Sequence, residues 1–191
     1  MISKQVRVFV IQFSDMTILK ILQYPDPQLQ RGGKLVTDFS TPAIQKLIHD
    51  INESINYYGN CAGFAATQLD VEDAPRIFIM NAPEEHGGRR CFANPEILTA
   101  DGNSVIAEAC MSIYPDKISV PISRPDHVIV KAQDSQGQIF TAEYRDFWAH
   151  CIQHELDHLD GILFIDRLSP LKRERVDKKI QKVLAERAHS A

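Results

Sequence analysis

The chain has 191 residues, a length that indicates one domain, or one domain with an appended element. Hydrophobic residues make up 44% of it and charged residues 24%, which is the balance of a globular protein with a packed core. The formal net charge of −4 argues against general binding to nucleic acids. No segment reaches the ~20 apolar residues that a membrane-spanning helix requires, so no membrane partner is expected.

The four cysteines, Cys61, Cys91, Cys110 and Cys151, form no Cys-x-x-Cys pair. In a chain of this size such spacing favours free thiols in a reducing compartment, so we expect a cytoplasmic location. Residues 1–15 contain a short apolar run at 8–11 and no small-residue cleavage site, which argues against a signal peptide. We expect residues 1–15 to be an N-terminal extension and residues 16–191 to form a single domain.

Turn signals and apolar periodicity predict one helix, then strands, then two further helices. Thr41-Pro42 suits the start of a helix, and apolar residues recur after it at helical spacing to about Tyr57. The segment 134–137 (DSQG) is typical of the turn in a β-hairpin. Strands are predicted at 76–80, 92–98, 127–132 and 139–144, a turn at 85–90, and helices at 146–159 and from Pro170 to about Arg187. This order predicts the α+β class, with an antiparallel set of strands.

Residues 153–161 read QHELDHLDG and place His154 and His158 four apart on the predicted helix 146–159. Side chains at this spacing share one face of a helix, so both imidazoles can reach a single metal ion. Glu155 projects to the side of that face, where its carboxylate can contact a water at the metal without being a ligand. By chance, the motif occurs in on the order of one per cent of chains with this composition, so a third ligand decides its meaning.

The identity of the third ligand separates the classes of protein that use this motif. A third histidine in the extended motif HExxHxxGxxH is excluded, because Phe164 occupies that position. Glu174 is the nearest carboxylate on the following helix, but the basic run around it is typical of a solvated face. Cys110 is the best remaining candidate, since one cysteine and two histidines leave one coordination position open for water.

Three short motifs in the chain resemble those of the peptide deformylases. That family has a Gly-x-Gly-apolar-Ala-Ala-x-Gln loop, a Glu-Gly-Cys-apolar-Ser segment and a Gln-His-Glu-x-Asp-His helix. This sequence has CAGFAATQ at 61–68, EACMS at 108–112 and QHELDH at 153–158, in the same order and with similar spacing. The resemblance covers roughly residues 16–187. It implies a catalytic domain with antiparallel β-sheets around a central metal-binding helix, an N-terminal helix and a C-terminal helix.

The resemblance implies a metal-dependent hydrolase that removes the N-formyl group from the N-terminal methionine of newly synthesised peptides and releases formate. The implied metal ligands are Cys110, His154 and His158, holding one divalent ion, with Fe2+ expected and Zn2+, Ni2+ or Co2+ also accepted. Glu155 would act first as general base and then as general acid. The Gln68 side chain and the backbone N–H of Met111 would donate hydrogen bonds to the oxyanion.

Two positions depart from the family motifs. Cys61 replaces the first glycine of the loop, and Ala109 replaces the glycine before the metal-binding cysteine. With Gly63 and His150, Ala109 is expected to contact the substrate, and His150 occupies a position that is often apolar or Arg in the family. Tyr114 stands where the family often has proline. Together with Cys61 and Ala109, it motivates an alternative function, a divergent deformylase-like amidase with an altered acyl or peptide preference.

The predicted C-terminal helix bears on possible partners, because it carries seven basic and three acidic residues between Lys172 and Arg187. It is predicted either to be a solvated helix packed on the domain, or to contact the ribosome through electrostatic attraction to RNA. A last alternative is a non-catalytic, metal-holding protein associated with the ribosome. The presence of both Glu155 and Gln68 argues against it, since a structural metal needs neither.

Overall fold

The structure, a computed structural model, describes residues 17–190, and the extension predicted at residues 1–15 lies outside that range. Within it the chain forms three α-helices and seven β-strands. The helices are α1 (Pro42–Tyr58), α2 (Asp146–Leu159) and α3 (Pro170–Ser190). The strands are β1 (Gly63–Ala65), β2 (Ile77–Asn81), β3 (Arg89–Asp101), β4 (Ser104–Glu108), β5 (Val120–Arg124), β6 (His127–Gln133) and β7 (Ile139–Arg145).

The strands form two antiparallel sheets, and α2 packs against both of them. The larger sheet has the order β1-β2-β3-β6-β7, and the smaller one pairs β4 with β5. Helix α2 contacts β1, β2, β6 and β7 of the larger sheet and β4 of the smaller one. The predicted α+β class, with antiparallel sheets, an N-terminal helix and a C-terminal helix, is confirmed.

Local signals account for the elements that the sequence predicts. Helix α1 starts where the Thr41 hydroxyl accepts the backbone N–H of Ile44 and ends at Gly59, which has a positive φ of 57°. The turn between β6 and β7 is closed by the Asp134 carboxylate, which accepts the backbone N–H groups of Gln136 and Gln138. These contacts join residues that are close in the sequence. Periodicity and turn signals can therefore predict the elements that the contacts bound.

The end of α2 depends on a glycine with no steric alternative. Gly161 has a φ of +71°, and a Cβ at this position would lie 2.5 Å from the backbone oxygen of Gln30. An L side chain would therefore meet both backbone strain and a collision with backbone. Gly161 allows the chain to turn back after the helix that carries the HExxH motif.

The core of the larger sheet is built on aromatic side chains. Phe92 is fully buried and stacks on Phe78 with 4.7 Å between the ring centroids. The rings of Phe92 and Phe140 pack edge to face at 5.3 Å, and the Tyr144 ring lies 6.0 Å from Phe92. Helix α3 packs into a different buried cluster through its apolar positions Val176, Ile180 and Val183. No helix in residues 17–190 is both long and apolar enough to cross a membrane.

Three strands that the sequence analysis does not predict are short or irregular. Strands β1, β4 and β5 have three, five and five residues, and β5 contains Pro121. The strand predicted at 92–98 extends over Arg89–Asp101, and a register shift follows Ala93, beside Asn94 with its positive φ of 48°. The turn predicted at 85–90 begins one residue earlier and is shorter, with a 3-10 turn over Glu84–His86, and its predicted last residues, Arg89 and Arg90, belong to β3.

Replacing Phe92 with alanine is expected to lower the free energy of unfolding by about 3–5 kcal/mol, because it leaves a cavity against three aromatic rings. Urea denaturation of the purified protein measures this change. The control is Leu35→Ala, since Leu35 is 69% exposed and its truncation is expected to cost less than about 0.5 kcal/mol. Equal losses in the two variants would contradict the assignment of the core.

Candidate active site

Three side chains that can bind a metal converge beneath one cleft. His154 and His158 lie one turn apart on α2, and their Nε2 atoms are 3.2 Å from each other. Cys110 lies in the turn after β4, and its Sγ is 3.2 Å from Nε2 of His158. The ligand atoms of the three residues all lie within 4.8 Å of one another. Cys110 and His158 are buried, whereas the His154 side chain keeps 12% of its surface exposed.

These distances fit a single tetrahedral ion. Metal–nitrogen and metal–sulfur bonds of about 2.1 and 2.3 Å at tetrahedral angles separate the ligand atoms by roughly 3.4–3.6 Å, close to the separations found here. Burial lowers the pKa of His158 well below its usual range, so its imidazole is neutral and keeps a lone pair for a ligand bond. Glu174, the alternative ligand on α3, is exposed and pairs with Lys178 at 2.6 Å, away from this cluster.

The imidazole of His154 is oriented by a buried ion network. Its Nδ1 is 3.0 Å from Oε2 of Glu108, which leaves Nε2 to face the other two ligands. The same carboxylate accepts the Arg124 guanidinium at 2.5 and 3.0 Å, and Arg124 also donates to Asp157 at 2.8 Å. Burial favours the neutral acid, but the hydrogen bonds from His154 and Arg124 outweigh it and lower the pKa of Glu108 to about 2.

Glu155 is a buried carboxyl group whose pKa shifts in the opposite direction to that of Glu108. It is 4% exposed, and its Oε2 has no hydrogen-bond partner within residues 17–190. Burial is the main cause that raises its pKa to about 7. A Cβ at Gly63 would lie 3.4 Å from the Glu155 carboxyl carbon and 2.8 Å from the backbone oxygen of Ile79. Glycine at position 63 therefore lets β1 approach this carboxyl group closely.

The Gln68 side chain is held with its amide nitrogen toward the metal ligands. Its Oε1 accepts the backbone N–H of Ala65 at 2.9 Å, and this fixes which end of the amide is the oxygen. Its Nε2 lies 3.3 Å from Sγ of Cys110. A neutral donor thus lies at the cleft beside Cys110.

A cleft of about 280 Å³ joins the residues that the sequence analysis singles out. Eight of the nine line it, and His158 lies buried beneath them. The eight are Gly63, Gln68, Ala109, Cys110, Met111, His150, His154 and Glu155. Cys61, which departs from the family motif, also lines the cleft, and Phe147 and Ile106 provide apolar walls.

Several residues at the site have no role in the sequence analysis. Glu108 stands in a quoted motif, two positions before Cys110, and this proximity is a signal that could have marked it. Arg124 carries no such signal, because its partners lie 16 and 33 residues away along the chain. Phe147 and Ile106 are ordinary apolar positions in the sequence, and only the fold shows that they line the cleft.

Comparison with known proteins decides the family. The polypeptide deformylase family matches residues 18–174. The chain belongs to this family. It is 43% identical over 169 residues to a peptide deformylase of Stenotrophomonas maltophilia strain K279a, covering 87% of this chain and 96% of that relative. It is 40% identical over 166 residues to peptide deformylase 1 of Coxiella burnetii, with the same coverage.

Solved structures agree with this membership. A peptide deformylase from Legionella pneumophila superposes with a TM-score of 0.78 at 33% identity, covering 90% of this chain and 98% of that one. A peptide deformylase from Ehrlichia chaffeensis, solved in complex with actinonin, gives a TM-score of 0.78 at 31% identity, covering 87% and 98%. As a family member, the chain is an enzyme, a metal-dependent hydrolase that removes N-formyl groups from newly synthesised peptides. The family match implies a single metal ion.

Replacing Arg124 with methionine is expected to destabilise the protein by about 3–5 kcal/mol, because it leaves the carboxylates of Glu108 and Asp157 buried without their shared cation. Urea denaturation of metal-free protein measures the loss. Arg145→Met is the control, since Arg145 and Glu143 pair with side chains that are 64% and 52% exposed. That exposed pair is expected to contribute less than about 1 kcal/mol. A loss for Arg124→Met no larger than for the control would contradict the role of the network.

The Glu155 carboxyl group is expected to make metal-free protein less stable as pH rises. Its folded pKa of about 7 exceeds the ordinary value of 4.5, so the folded state binds this proton more tightly than the unfolded state. The contribution is fully present below about pH 4.5 and is lost as pH rises through about 7. Denaturation from pH 4.5 to 8 measures it as the difference between the parent protein and Glu155→Gln. A difference that stays constant over this range would rule the assignment out.

Proposed function

We propose that Cys110, His154 and His158 hold one divalent metal ion and that Glu155 and Gln68 perform the deformylation chemistry beside it. The observation that carries the proposal is the meeting of the three ligand atoms within 4.8 Å, next to a buried carboxyl group whose Oε2 lacks a hydrogen-bond partner within residues 17–190. A structural metal site needs no such carboxyl group. When bound, a divalent ion supplies Lewis acidity that lowers the pKa of water toward neutrality.

Glu155 is the proposed general base and then general acid. Its carboxylate takes a proton from the attacking water as the water oxygen bonds to the formyl carbon. It then returns this proton to the peptide nitrogen as the carbon–nitrogen bond breaks, which yields formate and a free amino terminus. A pKa of about 7 suits both directions of transfer at neutral pH.

Gln68 and the backbone N–H of Met111 are the proposed donors to the formyl oxygen as it gains negative charge. The hydrogen bond from Ala65 pre-orients the Gln68 amide, so the donor does not have to reorganise during the reaction. Donors of this kind contribute roughly 3–4 kcal/mol to transition-state stabilisation in comparable sites. Gly63, Ala109 and His150 are proposed to contact the substrate, since all three line the cleft.

Ferrous iron is the proposed native metal, with Zn2+, Ni2+ or Co2+ as ions that the site accepts. One thiolate and two imidazoles form a ligand set of intermediate softness that suits these ions better than Mg2+ or Ca2+. The thiol of Cys110 must lose its proton to bind, so metal affinity is expected to fall at low pH. Metal analysis of protein purified without oxygen tests the identity.

Two substitutions separate binding of the metal from chemistry. Glu155→Gln is expected to keep the metal and to lose roughly 10²–10⁴-fold in turnover of a formyl-methionyl peptide, because the proton carrier is gone. Cys110→Ala is expected to lose the metal. Formate release and metal content are measured on the same samples loaded with iron, nickel or cobalt. Formate release from none of the loaded parent samples would reject the proposal, and cleavage of acetyl peptides as fast as formyl peptides would favour the divergent amidase.

Contact with the ribosome through α3, and hence a cytoplasmic location, is also proposed. The basic residues Lys172, Arg175 and Lys179 are exposed on this helix, while Val176, Ile180 and Val183 bind it to the domain. The charged side chains are therefore free to face an RNA surface without loss of packing.

Changing Lys172, Arg175 and Lys179 to glutamate is expected to abolish co-sedimentation with ribosomes at low salt, because three charges are reversed and the net charge of one helix falls by six units. Binding of the parent protein is expected to weaken steeply as salt is raised. Glutamate at the exposed positions Lys20, Arg31 and Lys131 provides a control with the same change in net charge. Equal binding by both variants, or binding that salt does not affect, would count against contact through α3.

A further inference from the structure

A short segment of the chain, residues 22–24, contacts both of the residues proposed to donate to the formyl oxygen. The backbone N–H of Leu22 donates to the backbone oxygen of Gln68 at 2.9 Å. One residue farther on, Nε2 of the Gln23 side chain donates to the backbone oxygen of Met111 at 2.9 Å. Gln68 and Met111 lie far apart in the sequence, so local contacts do not set their separation. The segment 22–24 therefore fixes the position of one donor residue relative to the other.

This segment is itself held in place on several sides. Leu22 is 4% exposed and belongs to the same buried cluster as Cys110. The backbone N–H of Tyr24 donates to the backbone oxygen of Ser112 at 2.9 Å. Arg173 on α3 donates to the Tyr24 hydroxyl at 3.3 Å. Buried packing and hydrogen bonds of this kind limit local opening of the chain. The side chain between Leu22 and Tyr24 therefore extends from a rigid support.

Peptide geometry connects Gln23 to the N–H of Met111. The Met111 N–H and the Cys110 carbonyl belong to one planar peptide group, which is held by the backbone N–H of Ile113 through a 2.9 Å bond to the Cys110 oxygen. The next peptide group carries the Met111 carbonyl, which Gln23 holds. With both planes held, the Met111 N–H keeps one direction. A displacement of about 1 Å in a positioned group can cost about 10²-fold in rate.

We propose that Gln23 is a positioning residue for deformylation, which holds Met111 so that its N–H meets the formyl oxygen as negative charge develops there. This inference rests on the proposed function, in which Met111 and Gln68 donate to that oxygen. Gln23 does not line the cleft, so it acts on the reaction through Met111. Because a hydrogen bond to this oxygen strengthens as the charge grows, Gln23 affects the transition state more than the bound substrate.

Substitutions at Gln23 that change the donor and keep the length of the side chain test this role. Gln23→Met is expected to lower kcat for a formyl-methionyl peptide roughly ten-fold and to change KM less than about two-fold. Metal content, measured on the same samples, is expected to stay the same. Gln23→Lys restores an N–H donor and is expected to recover most of the lost turnover. Gln23→Glu, whose carboxylate cannot donate at neutral pH, is expected to lower kcat at least as much as Gln23→Met.

Gln45→Met is the matched control. Nε2 of Gln45 donates to the backbone oxygens of Phe39 and Ser135 at 2.8 and 2.7 Å, and none of these residues lines the cleft. This variant loses bonds of the same kind, so it is expected to lower the free energy of unfolding and to leave kcat unchanged. A kcat of Gln23→Met within about two-fold of the parent value would overturn the inference. Equal decreases in both variants, or a decrease that matches a loss of metal, would also overturn it.

Hydrogen exchange keeps this inference separate from the proposed function, because it requires no turnover. The amides of Tyr24 and Ile113 donate within the contacts described above, and NMR in the presence of Zn2+ follows their exchange. Gln23→Met is expected to speed this exchange roughly ten-fold, and Gln45→Met to leave it unchanged. If the parent protein cleaves no formyl peptide, the proposed function fails and the exchange rates still test whether Gln23 holds this turn. Exchange in Gln23→Met within about two-fold of the parent rate would overturn the inference.

Discussion

The active site depends on one buried cation, Arg124, which lies between two carboxylates from different elements. Glu108 ends β4 two residues before Cys110, and Asp157 precedes His158 on α2, so the guanidinium ties the segment that carries Cys110 to the helix that carries His154 and His158. Arg167 also donates to Asp157. Replacing a buried ion network by apolar residues often leaves the stability of a protein unchanged or higher. The role of this network is therefore to fix the relative positions of the segments it joins. It holds the turn after β4 in register with the helix without requiring a covalent link.

Two carboxyl groups within this small volume are given different protonation behaviour by their partners. Glu108 accepts three hydrogen bonds from cationic or imidazole donors, and its pKa is lowered to about 2. Glu155 lies one residue from His154 in sequence, but burial dominates there and raises its pKa to about 7. One carboxylate is therefore a permanent anion that orients a ligand, and the other can gain and lose a proton near neutral pH. The difference comes from the number of donors each one meets, since both are glutamates.

The sequence predicts the parts of the site that depend on local spacing. The helical pair His154 and His158, the neighbouring Glu155, and the hairpin of β6 and β7 all follow from contacts between residues close in the chain. It does not predict the smaller sheet, because β4 and β5 are short and the signal for strands is weak there. It predicts only the middle of β3 and not its register shift, which lies beside Asn94, a residue that bonds the backbone of Val36, 58 residues away. Contacts between residues so far apart in the chain produce no periodic pattern in the sequence.

The contacts at each position explain which residues of the family motifs can vary. At Gly63 the backbone itself lies against Glu155 and against Ile79, so any Cβ would displace backbone. Cys61 is only two residues earlier, yet it is half-buried and lines the cleft, so its side chain takes up cleft volume. Ala109 also lines the cleft, next to Cys110. Cys61 and Ala109 therefore change the shape of the cleft, while the arrangement of Cys110, His154, His158, Glu155 and Gln68 stays the same.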